Sequence, residues 1–336
     1  MNIYFGDDGF KQLELLKEKY NSIFVLTDEN INTIYSSVID AVSSYKIVIP
    51  AGEEYKTLDN VCFIWNTLLE NNAGRDSVLV NFGGGTISDV GGFAASCYKR
   101  GIDFINIPTT LLAMVDASIG GKNGLNYNGL KNQIGLFSEP EYVIVNTEFL
   151  KSLSQRDINS GLAEMLKYGF IADSSLLDLD QDNYLNYVKD AAIIKDDTVK
   201  LDFKESGLRK MLNFGHTVGH ALEAFYLDKD NYLTHGEAVA LGMYSSLFLS
   251  VKYCGLNEKW LFFYELWIKG NIGFLNLDGF DFDSIFSFIS HDKKNKGGRP
   301  QFVLISAPEK PVIDVNVEDD DIKESILILK NKFSRC

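Results

Sequence analysis

A doubly wound α/β domain followed by a mainly α-helical domain is the fold class this sequence predicts, and three observations predict it. Over the first 150 residues short β-branched runs alternate with longer amphipathic stretches, the rhythm of strand–helix units that build a mainly parallel sheet. One run ends in Gly83-Gly84-Gly85, where a strand of such a sheet would turn into a helix. From residue 154 onward long amphipathic stretches dominate and strand-like runs become rare. The 336 residues exceed one ordinary domain of roughly 150 residues. The change of rhythm divides them into residues 1–150 and 151–336.

In chain order, residues 23–26, 47–49, 78–81, 104–107 and 143–145 are apolar runs bounded by polar or turn residues and are expected to be buried strands. Residues 58–69 carry helical periodicity between the second and third of these. In the second half, residues 159–170, 191–201, 217–225, 236–252 and 260–268 are expected helices, with Ser154 and Asp157 spaced as a capping box before the first. Residues 302–305 read as one late strand. Neither an internal repeat nor a low-complexity linker interrupts the pattern.

Composition narrows the function. A hydrophobic fraction of 46% with 12% aromatic residues supports packed cores and argues against wholesale disorder. No apolar run approaches the ~18 residues of a membrane helix. The start of the chain, with Asp7 and Asp8, lacks the basic-then-apolar layout of a secretory signal, so a cytoplasmic location is expected. Cys62, Cys97, Cys254 and Cys336 are scattered, unlike a disulfide framework or a zinc finger, and read as small hydrophobes or incidental thiols. A net charge of −14 argues against generic nucleic-acid or anionic-membrane binding. It leaves room for a small anionic substrate if Lys and Arg gather locally.

Consecutive glycines between a strand and a helix let backbone N–H groups approach a pyrophosphate. The text Gly83-Gly84-Gly85-Thr86-Ile87-Ser88-Asp89 departs from G-x-G-x-x-G, and a tight turn alone would also explain it. Asp28 and Asn30 follow the first expected strand, Glu53 and Lys56 the second. Both sets stand at carboxyl ends of parallel strands, where ligands bind.

Of four histidines, His216, His220 and His235 fall within one short stretch. His216 and His220, four apart, share a helix face. Clustered imidazoles suit a borderline divalent ion such as zinc. The same spacing also suits one ligand beside one acid–base group, and local pattern leaves both open. His291 stands apart beside Asp292, Lys293 and Lys294.

Longer blocks carry a resemblance. Arg100-Gly101-Ile102, Pro108-Thr109-Thr110-Leu111-Leu112-Ala113, Val115-Asp116-Ala117-Ser118-Ile119-Gly120-Gly121-Lys122, Gly161-Leu162-Ala163-Glu164-Met165-Leu166-Lys167-Tyr168-Gly169, and Gly207-Leu208-Arg209 running into the histidines resemble the dehydroquinate synthase family, in that family's order and over most of the chain. The resemblance implies a Rossmann-like first domain, a catalytic NAD, a divalent metal (Zn or Co) and a homodimer.

By the same resemblance, Glu164, His216 and His235 are the metal ligands, and His220 is a proton-transfer partner near the substrate phosphate. NAD contacts fall to Asp28, Asn30, Glu53, Lys56, Gly84, Gly85, Asp89, Thr109, Thr110, Asp116, Lys131, Phe149, Ser152 and Leu153. Ser152 stands where the family more often has Thr, and Ala117 where it more often has Ser. Substrate contacts fall to Arg100 (from a neighbouring subunit), Asp116, Lys122, Lys131, Asn132, Lys195, Arg209, Asn213 and one of Lys293 and Lys294, with Lys294 preferred. Lys122, Lys167, Lys195, Arg209, Asn213 and His220 form the catalytic set.

The implied reaction converts 3-deoxy-D-arabino-heptulosonate 7-phosphate to 3-dehydroquinate and phosphate, a step of the shikimate pathway. A hydride is lent to NAD and returned, phosphate is eliminated in between, and an intramolecular aldol closes the ring. A sister sugar-phosphate cyclase and a metal-dependent polyol dehydrogenase of the glycerol type are the rival readings. Retention of Lys195, Arg209 and Asn213 together favours the carboxylate-bearing substrate over a sister cyclase's. The many basic pocket candidates, with Glu rather than Asp as the upstream ligand, favour a cyclase over the dehydrogenase.

Overall fold

The computed structural model describes residues 1–128, 130–227, 229–290 and 300–335. His291, Lys293, Lys294 and Cys336, singled out by sequence, lie outside the described residues. The chain forms two compact units, one of Met1–Ser154 with Lys195–Val199, the other of Gln155–Ile194 with the remainder.

The first unit is wound from β1 (Asn2–Phe5), α1 (Asp7–Lys19), β2 (Ser22–Asp28), α2 (Glu29–Val42), β3 (Tyr45–Ile49), α3 (Leu58–Glu70), β4 (Ser77–Gly83), α4 (Gly85–Cys97), β5 (Asp103–Pro108), β6 (Lys122–Tyr127), β7 (Leu130–Phe137) and β8 (Tyr142–Val145). Six of these strands make one sheet in the order β1-β8-β5-β4-β2-β3, with every pairing parallel. The chain leaves β2 to one side for β3 and returns on the other for β4, so a topological switch point lies between β2 and β4. Burial on both faces explains the mainly apolar text of β4, all seven residues of which are buried. Phe24, Leu26, Ile64, Leu79, Val90 and Phe104 belong to the core on one side of the sheet. β6 and β7 form a separate antiparallel hairpin.

The second unit contains α5 (Gln155–Ile171), most of α6 (Val188–Leu201), α7 (His216–Tyr226), α8 (His235–Cys254), α9 (Lys259–Asn271), α10 (Phe282–Ser290), β9 (Gln301–Ala307), β10 (Lys310–Asn316) and α11 (Asp319–Phe333). β9 and β10 pair as an antiparallel hairpin. Glycine lets the central helices touch. A Cβ on Gly242 of α8 would lie 2.0 Å from the Gly215 carbonyl oxygen and 2.6 Å from the Gly219 nitrogen. One on Gly236 would lie 2.1 Å from the Ser160 carbonyl oxygen of α5. Helices α5, α7 and α8 therefore approach backbone to backbone, near the first turns of α7 and α8 that carry His216 and His235 and the middle of α5 that carries Glu164.

Candidate metal and cofactor sites

In the second unit, α5 presents Glu164 and, one turn on, Lys167, both fully buried. His216 opens α7 after Gly215, whose φ of 82° only glycine adopts freely. His235 opens α8, whose first turn is fixed by a capping box between Thr234 and Glu237. Arg156 reinforces that turn by gripping both Glu237 oxygens, at 2.8 and 2.7 Å.

Glu164 Oε1 lies 3.4 Å from His216 Nε2 and 3.3 Å from His235 Nε2. A tetrahedral ion with bonds of ~2.0–2.1 Å sets its ligand atoms about 3.3–3.4 Å apart, so the separations suit one shared ion. Lys167 contacts Glu164 Oε2, whereas the buried Oε1 has no well-directed hydrogen bond among the described residues, an uncommon state for a buried carboxylate oxygen. Two imidazoles and one carboxylate also match the ligand chemistry of catalytic zinc sites, which keep a fourth position open. The residues fit a divalent ion.

Electrostatics point the same way. Burial pushes the Glu164 carboxyl up, but Lys167, in ion-pair contact with Oε2, and His235 outweigh it and hold the group down at about 2. Burial likewise opposes charge on His235, yet Glu223 and Glu164 raise it to about 10. Glu164 and Glu223 bring negative charge to two buried imidazoles, an environment that a dication would balance. The His220 ring packs 5.0 Å from His216 and 5.8 Å from His235, centroid to centroid.

Arg209 is buried on a short helical turn, Leu208–Asn213. Its Nη1 donates to the Phe203 carbonyl at 2.6 Å. Asp202 organises the approach: its carboxylate accepts from the backbone N–H groups of Ser206 (2.9 Å), Gly207 (2.7 Å) and Arg209 (3.1 Å) and from the Ser206 hydroxyl (3.1 Å). Partial desolvation pushes Asp202 up, but these bonds hold it down at about 2. Asn213 Nδ2 donates to Glu205 Oε1 at 2.6 Å.

In the first unit, β4 delivers Gly84 and Gly85 to the start of α4, which has no side-chain cap. A Cβ on Gly84 would sit 3.2 Å from Thr110 Cγ2, and one on Gly85 3.2 Å from Ala117 Cβ. An uncapped helix N-terminus behind glycines suits a pyrophosphate. At the end of β5, the buried Thr109 hydroxyl has no hydrogen-bond partner among the described residues, another group that a ligand would satisfy. These residues fit a dinucleotide.

Lys56 Nζ lies 2.5 Å from Asp89 Oδ2 and 3.7 Å from Glu53 Oε1. Burial, against the opposing pull of Lys56, raises the Asp89 carboxyl to about 6. Asp28 caps α2 by accepting from Ile31 N–H at 2.9 Å, and burial pushes its carboxyl up; Asn30 is exposed. Phe149 stacks edge-on with Tyr35 and Phe82, and the Ser152 hydroxyl bonds Tyr35 Oη at 2.8 Å. Leu153 is half-buried.

Asp116 sits on a π-helical turn, Ala113–Ala117, and pairs with the buried Lys195 at 2.5 Å. Lys122 and Asn132 are exposed on the β6–β7 hairpin, with Lys131 half-buried. Arg100 is exposed on a turn in which Lys99, Arg100 and Gly101 have φ of 49°, 69° and 113°. For the two non-glycine residues this costs ~1–3 kcal/mol each, and the Lys99 ammonium helps hold the turn by donating to the Ala73 carbonyl.

Four residues that sequence reasoning missed contribute here. Asp202 and Glu205 brace Arg209 and Asn213. Asn126 donates from Nδ2 to the Glu53 carbonyl at 3.1 Å and from its backbone N–H to the Lys56 carbonyl at 2.8 Å, and accepts from Asn132 N–H at 3.1 Å. Glu223 faces His235 Nδ1 at 3.3 Å. The signal for Glu223 was present: it stands three residues after His220 and seven after His216, on one helix face.

Comparison with known proteins identifies the family. The family described as 3-dehydroquinate synthase N-terminal matches residues 46–160, and that described as 3-dehydroquinate synthase C-terminal matches residues 161–295. A 3-dehydroquinate synthase of Parabacteroides distasonis is 42% identical over 322 residues, 92% of this chain and 90% of the relative. One of Clostridium tetani is 40% identical over 337 residues, 95% of this chain and 89% of the relative. Among solved structures, a 2-epi-5-epi-valiolone synthase from Streptomyces hygroscopicus with NAD+ and Zn2+ bound superposes with a TM-score of 0.87 at 23% identity, covering 98% of this chain and 97% of that one. The last match bears on fold alone, but the matches along the sequence span both units: the chain belongs to the 3-dehydroquinate synthase family.

Proposed function

We propose that this chain converts 3-deoxy-D-arabino-heptulosonate 7-phosphate to 3-dehydroquinate and phosphate, as a lyase that uses NAD catalytically together with a divalent metal. The observation that carries the reading is the 42% identity over 322 residues to a relative of that name; the Glu164, His216 and His235 cluster supplies the chemistry. Neither a sister cyclase nor a polyol dehydrogenase is favoured, since the relatives at 37–42% identity carry the dehydroquinate synthase name.

Glu164, His216 and His235 hold the ion, and Gly84, Gly85, Asp89, Thr109 and Thr110 hold the dinucleotide with Asp28, Asn30, Glu53, Lys56, Asp116 and Lys131. Phe149, Ser152 and Leu153 complete that set through backbone and hydroxyl groups, because the Phe149 ring is already packed. When bound, the metal would acidify and orient a substrate hydroxyl, and NAD would take up and return one hydride per turnover.

The chain's own groups do the rest. Arg209, backed by Asp202 and Phe203, binds an oxyanion of the substrate through its planar fork. Asn213 donates a neutral hydrogen bond beside it, and Lys195, charged against Asp116, supplies compact positive charge. Lys167 keeps Glu164 ionised. His220, not a ligand, moves a proton near the phosphate ester. Lys122 and Asn132 bind substrate from the hairpin, and Arg100 reaches the phosphate of a neighbouring subunit's substrate, which makes the active form a homodimer. A cytoplasmic enzyme acting on a diffusible sugar-acid phosphate completes the reading.

The test follows phosphate release and dehydroquinate formation together, with catalytic NAD and added zinc or cobalt, with and without chelator. Chelator-sensitive formation of both products without net NADH is the expected result. Net NAD reduction with a polyol and no phosphate release would move the chain to the dehydrogenases.

A further inference from the structure

The cluster around His235 contains a carboxylate that the proposed ligand set does not use. A neutral imidazole that ligates through Nε2 carries its proton on Nδ1, and that N–H needs an acceptor. For His216 the acceptor is the Phe214 carbonyl, 3.1 Å from Nδ1. For His235 it is Glu223 Oε2, 3.3 Å from Nδ1, on a side chain only 8% exposed. Glu223 lies on α7, two turns beyond His216, and His235 opens α8. The helix that carries one histidine ligand therefore braces the other.

His220, Glu223 and His235 could themselves hold an ion, since their donor atoms also lie within 4.8 Å of one another. The 3.3 Å separation of His235 Nδ1 and Glu223 fits either role. Glu164 decides between them: if Glu223 were the carboxylate ligand, Glu164 Oε1 would stay fully buried, 3.3–3.4 Å from two imidazole nitrogens, with only the Lys167 contact on Oε2 to balance the carboxylate. With Glu164 on the ion, both carboxylates have a function and His235 uses each ring nitrogen once.

We propose that Glu223 is a positioning residue for the metal: it accepts the Nδ1 proton of His235, fixes that tautomer and aims Nε2 at the ion. The proposal rests on the reading of Glu164, His216 and His235 as ligands. A carboxylate in this place also strengthens the imidazole as a donor, and losing such a partner typically lowers metal affinity about 10–100-fold.

The test is zinc affinity of the purified full-length protein, measured by competition with a chromophoric chelator and independent of turnover. Glu223→Gln keeps the shape and an acceptor oxygen but removes the charge; Glu223→Asp keeps the charge but withdraws it by one methylene. Both are expected to bind one zinc about 10-fold more weakly than the unaltered protein, with Glu164→Gln losing zinc altogether. Wild-type affinity in both Glu223 variants would overturn the proposal and leave the ligand set standing. Complete loss in Glu223→Gln with retention in Glu164→Gln would overturn both and identify His220, Glu223 and His235 as the site. Should one Glu223 variant fail to fold, the affinity of the other still decides the matter.

Discussion

Asp202 and Asp89 are both carboxylates beside a proposed site, and their surroundings give them opposite behaviour. Asp202 is held down at about 2 by the N–H groups it gathers, so it is ionised at any physiological pH and acts as a fixed anchor for the Arg209 turn. Replacing it with Ala frees four donors at once and loosens the backbone from which Arg209 projects. We expect Asp202→Ala to raise KM for the sugar-acid phosphate and to lower kcat/KM about 10-fold, the equivalent of ~1.4 kcal/mol; steady-state kinetics beside a melting curve checks it. An unchanged KM would detach Asp202 from substrate binding.

Asp89 instead is raised to about 6 by burial, with Lys56 opposing. The folded state therefore binds this proton more tightly than the unfolded chain. Its stabilising contribution is complete below the unfolded value near 4, declines as pH rises, and is gone above about 6. The span is worth at most ~3 kcal/mol. In Asp89→Asn this decline should disappear, so a plot of wild-type minus variant stability should fall between pH 4 and 6. A flat difference would show that Asp89 does not titrate in that window. Residue partnerships of this kind were hidden in the sequence. The histidine cluster is visible locally, but Lys195 and its partner Asp116 stand 79 residues apart, and Glu164 became visible only within a longer motif.

Elements were more legible than partnerships, wherever burial is complete on one face or two. The expected strands at 23–26, 78–81 and 104–107 fall inside β2, β4 and β5, and these spans are buried and apolar apart from Asn81 and Asn106, which bond each other at 2.9 Å. The helix expected at 236–252 falls inside α8. Four strands went unread for a physical reason. β1 is a partly exposed edge, and β10 is mostly exposed, with Pro311 in it, so neither has the buried apolar stripe that marks a strand. β6 and β7 carry polar residues at candidate contact positions, and chemistry displaces the period-2 pattern there.

The helices also separate two kinds of glycine. Gly242 of α8 meets the α7 backbone, so Gly242→Ala must push α7 from α8. It is expected to cost ~1–3 kcal/mol and, by widening the spacing of His216 and His235, to weaken zinc binding as well. Gly270 of α9 has nothing within 4 Å of a Cβ placed on it, so Gly270→Ala should stabilise by ~0.4–1 kcal/mol and leave zinc binding unchanged. Paired melts and zinc titrations decide both. Full zinc affinity in Gly242→Ala would show that the histidines do not depend on this contact.

For the whole molecule, net charge of −14 and an anionic substrate are reconciled by where the cations sit. Lys56, Lys167, Lys195 and Arg209 are all buried, at 4%, 1%, 7% and 1% exposure, and the three lysines face Asp89, Glu164 and Asp116. Composition reports a net excess of acid, whereas the proposed substrate and cofactor contacts rest on a few desolvated cations that overall charge conceals. The two compact units also divide the ligands between them: the proposed dinucleotide residues through Leu153 belong to the first, and Glu164, His216 and His235 to the second. A ligand that binds only the folded state at 100 times its Kd adds ~2.7 kcal/mol. At ~2–4 °C per kcal/mol for a unit of this size, that raises a melting midpoint by about 5–10 °C. Zinc should therefore raise the melting temperature of the metal-free protein, and Glu164→Gln should abolish that rise while keeping the one produced by NAD. Asp89→Asn should do the reverse, weakening the NAD-dependent rise and keeping the zinc-dependent one. Loss of both responses in either variant would mean that the two sites are energetically inseparable, and that metal and dinucleotide are held as one cooperative assembly.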